Sequence, residues 1–128
     1  MKQILLIDDD EDYASVIRMR LEKEGYQVQW APGCDSAIKE LEKDFNVDVI
    51  ILDVEMPERN GLATLAHLRG RFEKRPGGFT IPVMIATGLM SPRLKDIFGA
   101  QQVADYIQKP FEASTLVGKI EKILAKKS

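Results

Sequence analysis

A chain of 128 residues, 45% hydrophobic and 30% charged, has the composition of one ordinary folded domain able to bury roughly 65–70% of its unfolded surface. A formal net charge of −2 argues against a general polyanion binder, so no direct nucleic-acid contact is expected. The single cysteine, Cys34, cannot form an internal disulfide, and no apolar stretch resembles a secretory signal or a membrane span, so a reducing, cytoplasmic setting without membrane insertion is expected.

The small net charge hides an uneven distribution. Residues 1–64 carry 15 acidic and 7 basic side chains, a net of −8, whereas residues 65–128 carry 5 acidic and 11 basic, a net of +6. Neither half reads as a charged tail, because both contain regular hydrophobic segments.

In chain order, Ile4 to Ile7 is continuously apolar and predicts a strand buried on both faces. A helix follows, with Ala14, Ile17 and Leu21 on one face, Tyr13 and Val16 beside it, and Gly25 after Glu24 as its C-terminal cap. Tyr26, Val28 and Trp30 alternate with Gln27 and Gln29, the pattern of an edge strand, in which Trp30 is expected to serve packing. Cys34 starts or precedes a second helix striped by Ala37, Ile38, Leu41 and Phe45, and no redox role is expected of it. Val47 to Leu52 predicts a third, buried strand. The next helix carries Leu62, Leu65, Ala66 and Phe72, with His67 on its surface, and Arg69 to Gly78 reads as the helix end and a loop. Val83 to Ala86 forms another buried strand, followed by the weakest helix, between Pro92 and Phe98. Asp105 to Ile107 is a short fifth strand. Leu116, Val117, Ile120, Ile123 and Leu124 stripe the last helix, where Gly118 should cost about 1 kcal/mol relative to alanine.

Strand and helix units in strict alternation imply an α/β fold, with a parallel sheet, right-handed crossovers and helices on both faces. Ligands in such folds bind beyond the carboxyl ends of the strands. No repeat or interdomain linker interrupts residues 1–128, which are expected to be a single domain. With the sequence closing soon after the last helix, no effector domain is expected within it.

Polar residues gather where the strands end. Asp8, Asp9 and Asp10 follow the first strand, Asp53 the third, Thr87 and Gly88 the fourth, and Lys109-Pro110 the fifth. Carboxylates at a helix start also complement its dipole, and Asp10, Glu11 and Asp12 are read that way. Asp8, Asp9 and Asp53 differ in following buried strands. Brought together at about 4 Å with an effective dielectric near 20, each pair of carboxylates would cost on the order of 4 kcal/mol. A hard divalent cation would relieve that repulsion, and oxygen ligands favour magnesium, manganese or calcium over zinc. A carboxylate can also attack phosphorus, with cation, lysine and hydroxyl offsetting charge on the transferred group and the small Gly88 leaving it room to enter.

The segments ILLIDDDED at 4–12, DVIILDVEMPERNGL at 48–62, PVMIATG at 82–88 and DYIQKPF at 105–111 resemble the response-regulator receiver domain. They stand in that family's order and spacing over essentially the whole chain. The resemblance implies a doubly wound, flavodoxin-like, five-stranded parallel sheet of order 2-1-3-4-5 with five helices in a three-layer sandwich. It implies that Asp53 accepts a phosphoryl group from a histidine kinase or histidine phosphotransfer protein, with Mg2+ as cofactor and Mn2+ as a substitute. Asp9 would bind the metal directly and Asp8 mainly through water, with Asp53 and the backbone carbonyl of Glu55 completing the protein ligands. Thr87 and Lys109 would bond the phosphoryl group, Tyr106 would move inward as Thr87 shifts, and the Lys109-Pro110 bond would be cis. Glu55 could also reach Lys109 when no phosphate is present, and Leu89 offers no polar group to orient a hydrolytic water. Dimerisation through the face between the fourth and fifth helices is left open.

A signalling switch is therefore the leading reading, in which phosphorylation at Asp53 alters a surface that a partner protein recognises. A magnesium-dependent phosphohydrolase with an aspartyl-phosphate intermediate is the alternative. That class commonly places a second Asp two residues after the nucleophile, where this chain has Glu55. A flavin carrier of the same fold class fits poorly, since the first strand-to-helix loop carries acids where phosphate binding wants backbone amides.

Overall fold

The computed structural model describes residues 1–54, 61–88 and 91–127. Its elements alternate as β1 (Gln3–Ile7), α1 (Glu11–Lys23), β2 (Gln27–Ala31), α2 (Cys34–Lys43), β3 (Val49–Asp53), α3 (Gly61–Arg71), β4 (Val83–Thr87), α4 (Pro92–Ala100), β5 (Asp105–Gln108) and α5 (Ala113–Lys127). The five strands form one parallel sheet in the order β2-β1-β3-β4-β5, as expected. The first strand to enter the sheet thus lies inside it, and connections leave toward opposite sides of that strand.

Alternate residues of the central strands face opposite layers, so each apolar run serves two cores. Leu5, Ile7, Ile50, Leu52, Val83 and Ile85 pack with residues of α2, α3 and α4, among them Leu41, Leu68 and Phe98. Ile4, Leu6, Val49, Ile51 and Met84 pack on the other face with Leu21 of α1 and Leu116 and Ile120 of α5. A continuous run of four apolar residues is what a strand between two helical layers requires. At the edge, β2 keeps Val28 and Ala31 buried while Gln27 and Gln29 are exposed.

Boundaries moved by a residue or two from the sequence reading. Tyr26 lies before β2 because its N–H donates to the carbonyl of Leu21 in the turn that ends α1. Gly25 in that turn has φ of +94°, the left-handed conformation that glycine adopts without a Cβ penalty. The buried face of α3 runs through Gly61, Thr64, Leu65 and Leu68. That phase turns Leu62 and Ala66 to solvent and brings in Leu68, which the expected stripe omitted. Val16 of α1 is likewise exposed. Ser91 caps α4 by accepting the N–H of Leu94, with Pro92 in the first turn.

At the opposite end of α4, the Arg69 guanidinium at the end of α3 donates to the carbonyls of Gln101 and Gln102. These carbonyls belong to the cap residue and the one after it, so the cation sits at the C-terminus of α4 and meets the negative end of the helix dipole. Burial holds the Arg69 pKa below its ordinary value. Among the described residues no helix is long and apolar enough to cross a membrane.

Candidate functional site

Asp53 is the last residue of β3 and Thr87 the last of β4, while Asp8 follows β1 directly. All three are buried, with 2% exposure for Asp8, 4% for Asp53 and 1% for Thr87, so the sheet places polar side chains where an apolar core would ordinarily continue. Asp9 stands beside them and is exposed. One carboxylate oxygen from each of Asp8, Asp9 and Asp53 lies within 4.8 Å of the others.

The backbone fixes this geometry from both sides. Asp8 N–H donates to Ala31 C=O at 3.1 Å, Val54 N–H to Ala86 C=O at 3.2 Å, and Lys109 N–H to Thr87 C=O at 2.8 Å. Each bond extends a parallel ladder one step past the strand and holds the residue that carries, or follows, a site side chain. Gly61 completes the support for Asp53. Its N–H donates to Val54 C=O at 3.3 Å, and a Cβ on it would stand 2.1 Å from Val54 Cγ1 and 2.6 Å from Val54 Cα. Position 61 therefore has no room for a side chain against Val54, the residue that follows Asp53.

Lys109 supplies the opposing charge. Its Nζ lies 2.9 Å from Asp8 Oδ2 and 3.5 Å from Asp53 Oδ2, and the side chain is 18% exposed. Burial by itself would lower the lysine pKa; the hydrogen bond and charge of Asp8, joined by the charge of Asp53, outweigh it and leave the pKa raised. The ammonium also sits 4.5 Å from the centroid of the Tyr13 ring, which is packed edge-on against Phe111 at 5.9 Å. Burial, then the carboxylates Asp8, Asp53 and Asp10 against the opposing pull of Lys109, raises the Tyr13 pKa, so its phenol stays protonated at neutral pH.

Three carboxylates against one nearby ammonium leave an excess of negative charge, with oxygen donors and no soft ligand among them. That donor set fits a hard divalent cation such as Mg2+ or Mn2+. Asp8, Asp9 and Asp53 are the described side chains that could hold it. Glu55, expected to add its backbone carbonyl, lies outside the described residues, as does Leu89, so their expected roles rest on the sequence alone. Gly88 follows Thr87 directly and is half-buried.

Tyr106 pairs with Ile85 across the sheet and lies half-buried against α4. Its hydroxyl donates to the Lys95 carbonyl at 2.8 Å, and its ring meets Phe98 at 6.5 Å. The Lys109-Pro110 peptide bond is cis. His67 is exposed on α3, and Cys34 begins α2 in the core. Two contributors escaped the sequence reading. The sequence reads Tyr13 only as a residue beside a helix face, and its place under Lys109, 96 positions later, leaves no sequence signal. Trp30 was assigned to packing, yet its indole Nε1–H donates to the Asp8 carbonyl at 2.8 Å.

The comparisons with known proteins agree with this architecture. Two structures resemble the chain over nearly its full length: the Vibrio cholerae chemotaxis protein CheY4, with TM-score 0.86 and 26% identity over 97% of this chain and 99% of that one, and the receiver domain of the Francisella response regulator 1452, with TM-score 0.85 and 26% identity over 100% of both. In sequence, the transcriptional regulatory protein CpxR of Klebsiella pneumoniae is 37% identical over 125 residues, an alignment covering 97% of this chain and 50% of CpxR. The CAI-1 autoinducer sensor kinase/phosphatase CqsS of Vibrio cholerae is 28% identical over 119 residues, covering 93% of this chain and 17% of CqsS. The chain thus spans about half the length of the CpxR relatives and a smaller share of CqsS. Residues 4–121 match the family described as response regulator receiver domain, and with the sheet order and the carboxylates at its edge this places the chain in that family.

Proposed function

We propose that this receiver domain, acting as one unit over residues 1–128, is a phosphorylation-dependent signalling switch whose phosphoacceptor is Asp53. The observation that carries the reading is a buried carboxylate at the end of β3, with Asp8 and Asp9 oxygens within 4.8 Å and the Lys109 ammonium at 3.5 Å. Asp8, Asp9 and Asp53 would hold Mg2+, with Mn2+ as a substitute, and Glu55 would add its carbonyl. When bound, the cation supplies charge neutralisation for the phosphoryl group.

The donor is a phosphohistidine on a histidine kinase or histidine phosphotransfer protein. One Asp53 carboxylate oxygen forms the new P–O bond as the donor's P–N bond breaks. The electron pair leaves on the imidazole nitrogen, which takes a proton from solvent. Lys109, already aimed at Asp53, moves its ammonium onto a phosphoryl oxygen, and the Thr87 hydroxyl donates to another. Gly88 leaves the approach open. As Thr87 shifts, Tyr106 moves inward and gives up its bond to Lys95, which changes the surface formed by α4, β5 and α5 and so its recognition by a protein partner.

Receiver domains are signalling switches rather than turnover enzymes. Self-catalysed phosphoryl transfer and slow autodephosphorylation are the activities assigned here. The setting assigned is cytoplasmic, and the donor class accords with the name of the relative CqsS, a sensor kinase/phosphatase. A transcriptional output, as the name of the CpxR relatives suggests, would rest on chain beyond the matched half, with no direct nucleic-acid contact by the receiver. Dimerisation of the phosphorylated form through the α4–β5–α5 face is compatible with this reading.

The test is incubation with Mg2+ and a small phosphodonor, read by intact mass. One phosphoryl adduct is expected on the wild-type protein and none on Asp53→Asn. Absence of an adduct with every donor, or its persistence in the Asn variant, overturns the assignment.

A further inference from the structure

We propose that Trp30 is a positioning residue for the cation site, holding Asp8 in place through the indole N–H; this rests on the metal reading given above. Pairing of β1 with β2 ends at Ile7 and Ala31. Beyond that point the chain leaves β2 for α2, and no further strand residue is available to receive Asp8. The Asp8 N–H still reaches the Ala31 carbonyl at 3.1 Å. Its carbonyl instead accepts the Trp30 Nε1–H at 2.8 Å, so consecutive residues of β2 grip the two ends of one amino acid. Trp30 is half-buried and packs against the α1 and α5 side of the core, which fixes where its N–H points.

This bond completes an unusually full set. Asp8 Oδ1 accepts Asp10 N–H at 2.9 Å, and Oδ2 accepts Lys109 Nζ at 2.9 Å. With the two backbone bonds, every polar group of a residue that is 2% exposed has a partner. Indole donation is the one bond of this set that comes from a side chain outside the charged cluster. When a cation draws on the Asp8 carboxylate, the Lys109 and Asp10 bonds must readjust, whereas the Trp30 bond can stay and hold the main chain. A ligand held this way pays less ordering entropy on binding.

Trp30 is also the sole tryptophan, so its indole gives one resonance in 15N-labelled protein and one emission signal. The experiment combines Mg2+ titration by calorimetry with the indole N–H resonance and thermal unfolding, on wild type, Trp30→Phe and Trp30→Leu. Trp30→Phe removes the donor and keeps an aromatic plate; Trp30→Leu removes both. Positioning predicts that both variants bind Mg2+ about fivefold more weakly, alike, while only Trp30→Leu loses substantial thermal stability. The wild-type indole resonance should shift as Mg2+ saturates the site. Normal uptake with a silent indole, Trp30→Phe affinity within about twofold of wild type, or affinity falling in step with stability would each overturn the proposal. Failure of wild-type protein to take up Mg2+ at all, seen as absent heat, overturns the metal reading and this proposal together. That outcome is distinct from the preceding three, all of which occur with normal wild-type uptake.

Discussion

At the carboxyl edge of the sheet, Asp8, Asp53 and Thr87 are buried beside the Lys109 ammonium; at the amino edge, Phe45, Phe72 and Phe79 pack on one another around Ile81 and Val47. The ring centroids there lie 5.2 Å apart for Phe45 and Phe72, 5.9 Å for Phe45 and Phe79, and 6.5 Å for Phe72 and Phe79. Cations are handled differently as well. Arg75 stacks 3.9 Å from the Phe45 centroid and Arg71 pairs with Glu42 on the surface, whereas Lys109 is drawn among buried acids. One edge gains stability from area and aromatic contact; the other gathers like charges that only counterions make tolerable. The two edges belong to the same strands, so the residues that end each strand decide which kind of site it builds.

The contrast is most exposed to failure at Phe72, which is 5% exposed. Phe72→Ala should cost about 3–4 kcal/mol in denaturant unfolding, because it empties the aromatic cluster, while leaving phosphodonor labelling of the folded protein at the wild-type rate. A small loss of stability, or a labelling defect in the folded fraction, would break the separation of edges. Gly61→Ala tests the other end. A methyl group forced against Val54 should cost about 1–3 kcal/mol and also slow labelling, since the displaced residue is the one that follows Asp53.

The charged edge also predicts a pH signature. The folded pKa of Lys109 is raised above its ordinary 10.5, so the stabilisation it contributes is fully present below pH 10.5 and is lost as pH climbs through the folded value. Unfolding free energy followed from pH 8 to 11.5 should therefore carry an alkaline decline that Lys109→Met lacks, about pH 8 to 11.5 being the practical range around lysine titration. An identical decline in both proteins would remove Lys109 from the account. The smallest effect is expected away from either edge. A Cβ on Gly118 of α5 meets no atom within 4 Å, so Gly118→Ala should stabilise by about 0.5–1 kcal/mol and leave labelling unchanged.

Much of this division could be read from the sequence. Ile4 to Ile7 and Val83 to Ala86 are apolar at every position because each strand feeds two cores, and that pattern identifies central strands without any structure. Asp8, Asp53 and Thr87 stood out because each closes such a run, with Asp9 next to Asp8, whereas Lys109 follows the half-polar strand Asp105–Gln108 and stood out only beside the other strand ends. The helix stripes were less secure. Leu62 and Leu68 are both leucines in α3, and only the rotation of the helix over the sheet decides that Leu68 is buried while Leu62 is 37% exposed. Trp30 and Tyr13 were missed for another reason. An indole donating to the carbonyl of Asp8, 22 positions earlier, and a phenol ring under Lys109, 96 positions later, follow no period; they depend on which strands become neighbours. The charge asymmetry between the halves, although large, identified neither edge, since most of those charges are solvated.

The Arg69 guanidinium on the carbonyls that follow α4 has a mechanical consequence. It ties the base of α4 to α3, at the edge of the sheet far from Asp53. A nine-residue helix is about 13 Å long, and a rod of that length fastened at its base turns about the fastening. Its tip then sweeps the widest arc. That tip is the turn from Ser91 to Leu94, just beyond the strand that ends in Thr87, and the Tyr106–Lys95 bond sits close behind it. In the switch proposed above, a small displacement at Thr87 would act on the long arm of the lever, where the least force is needed to tilt the whole helix.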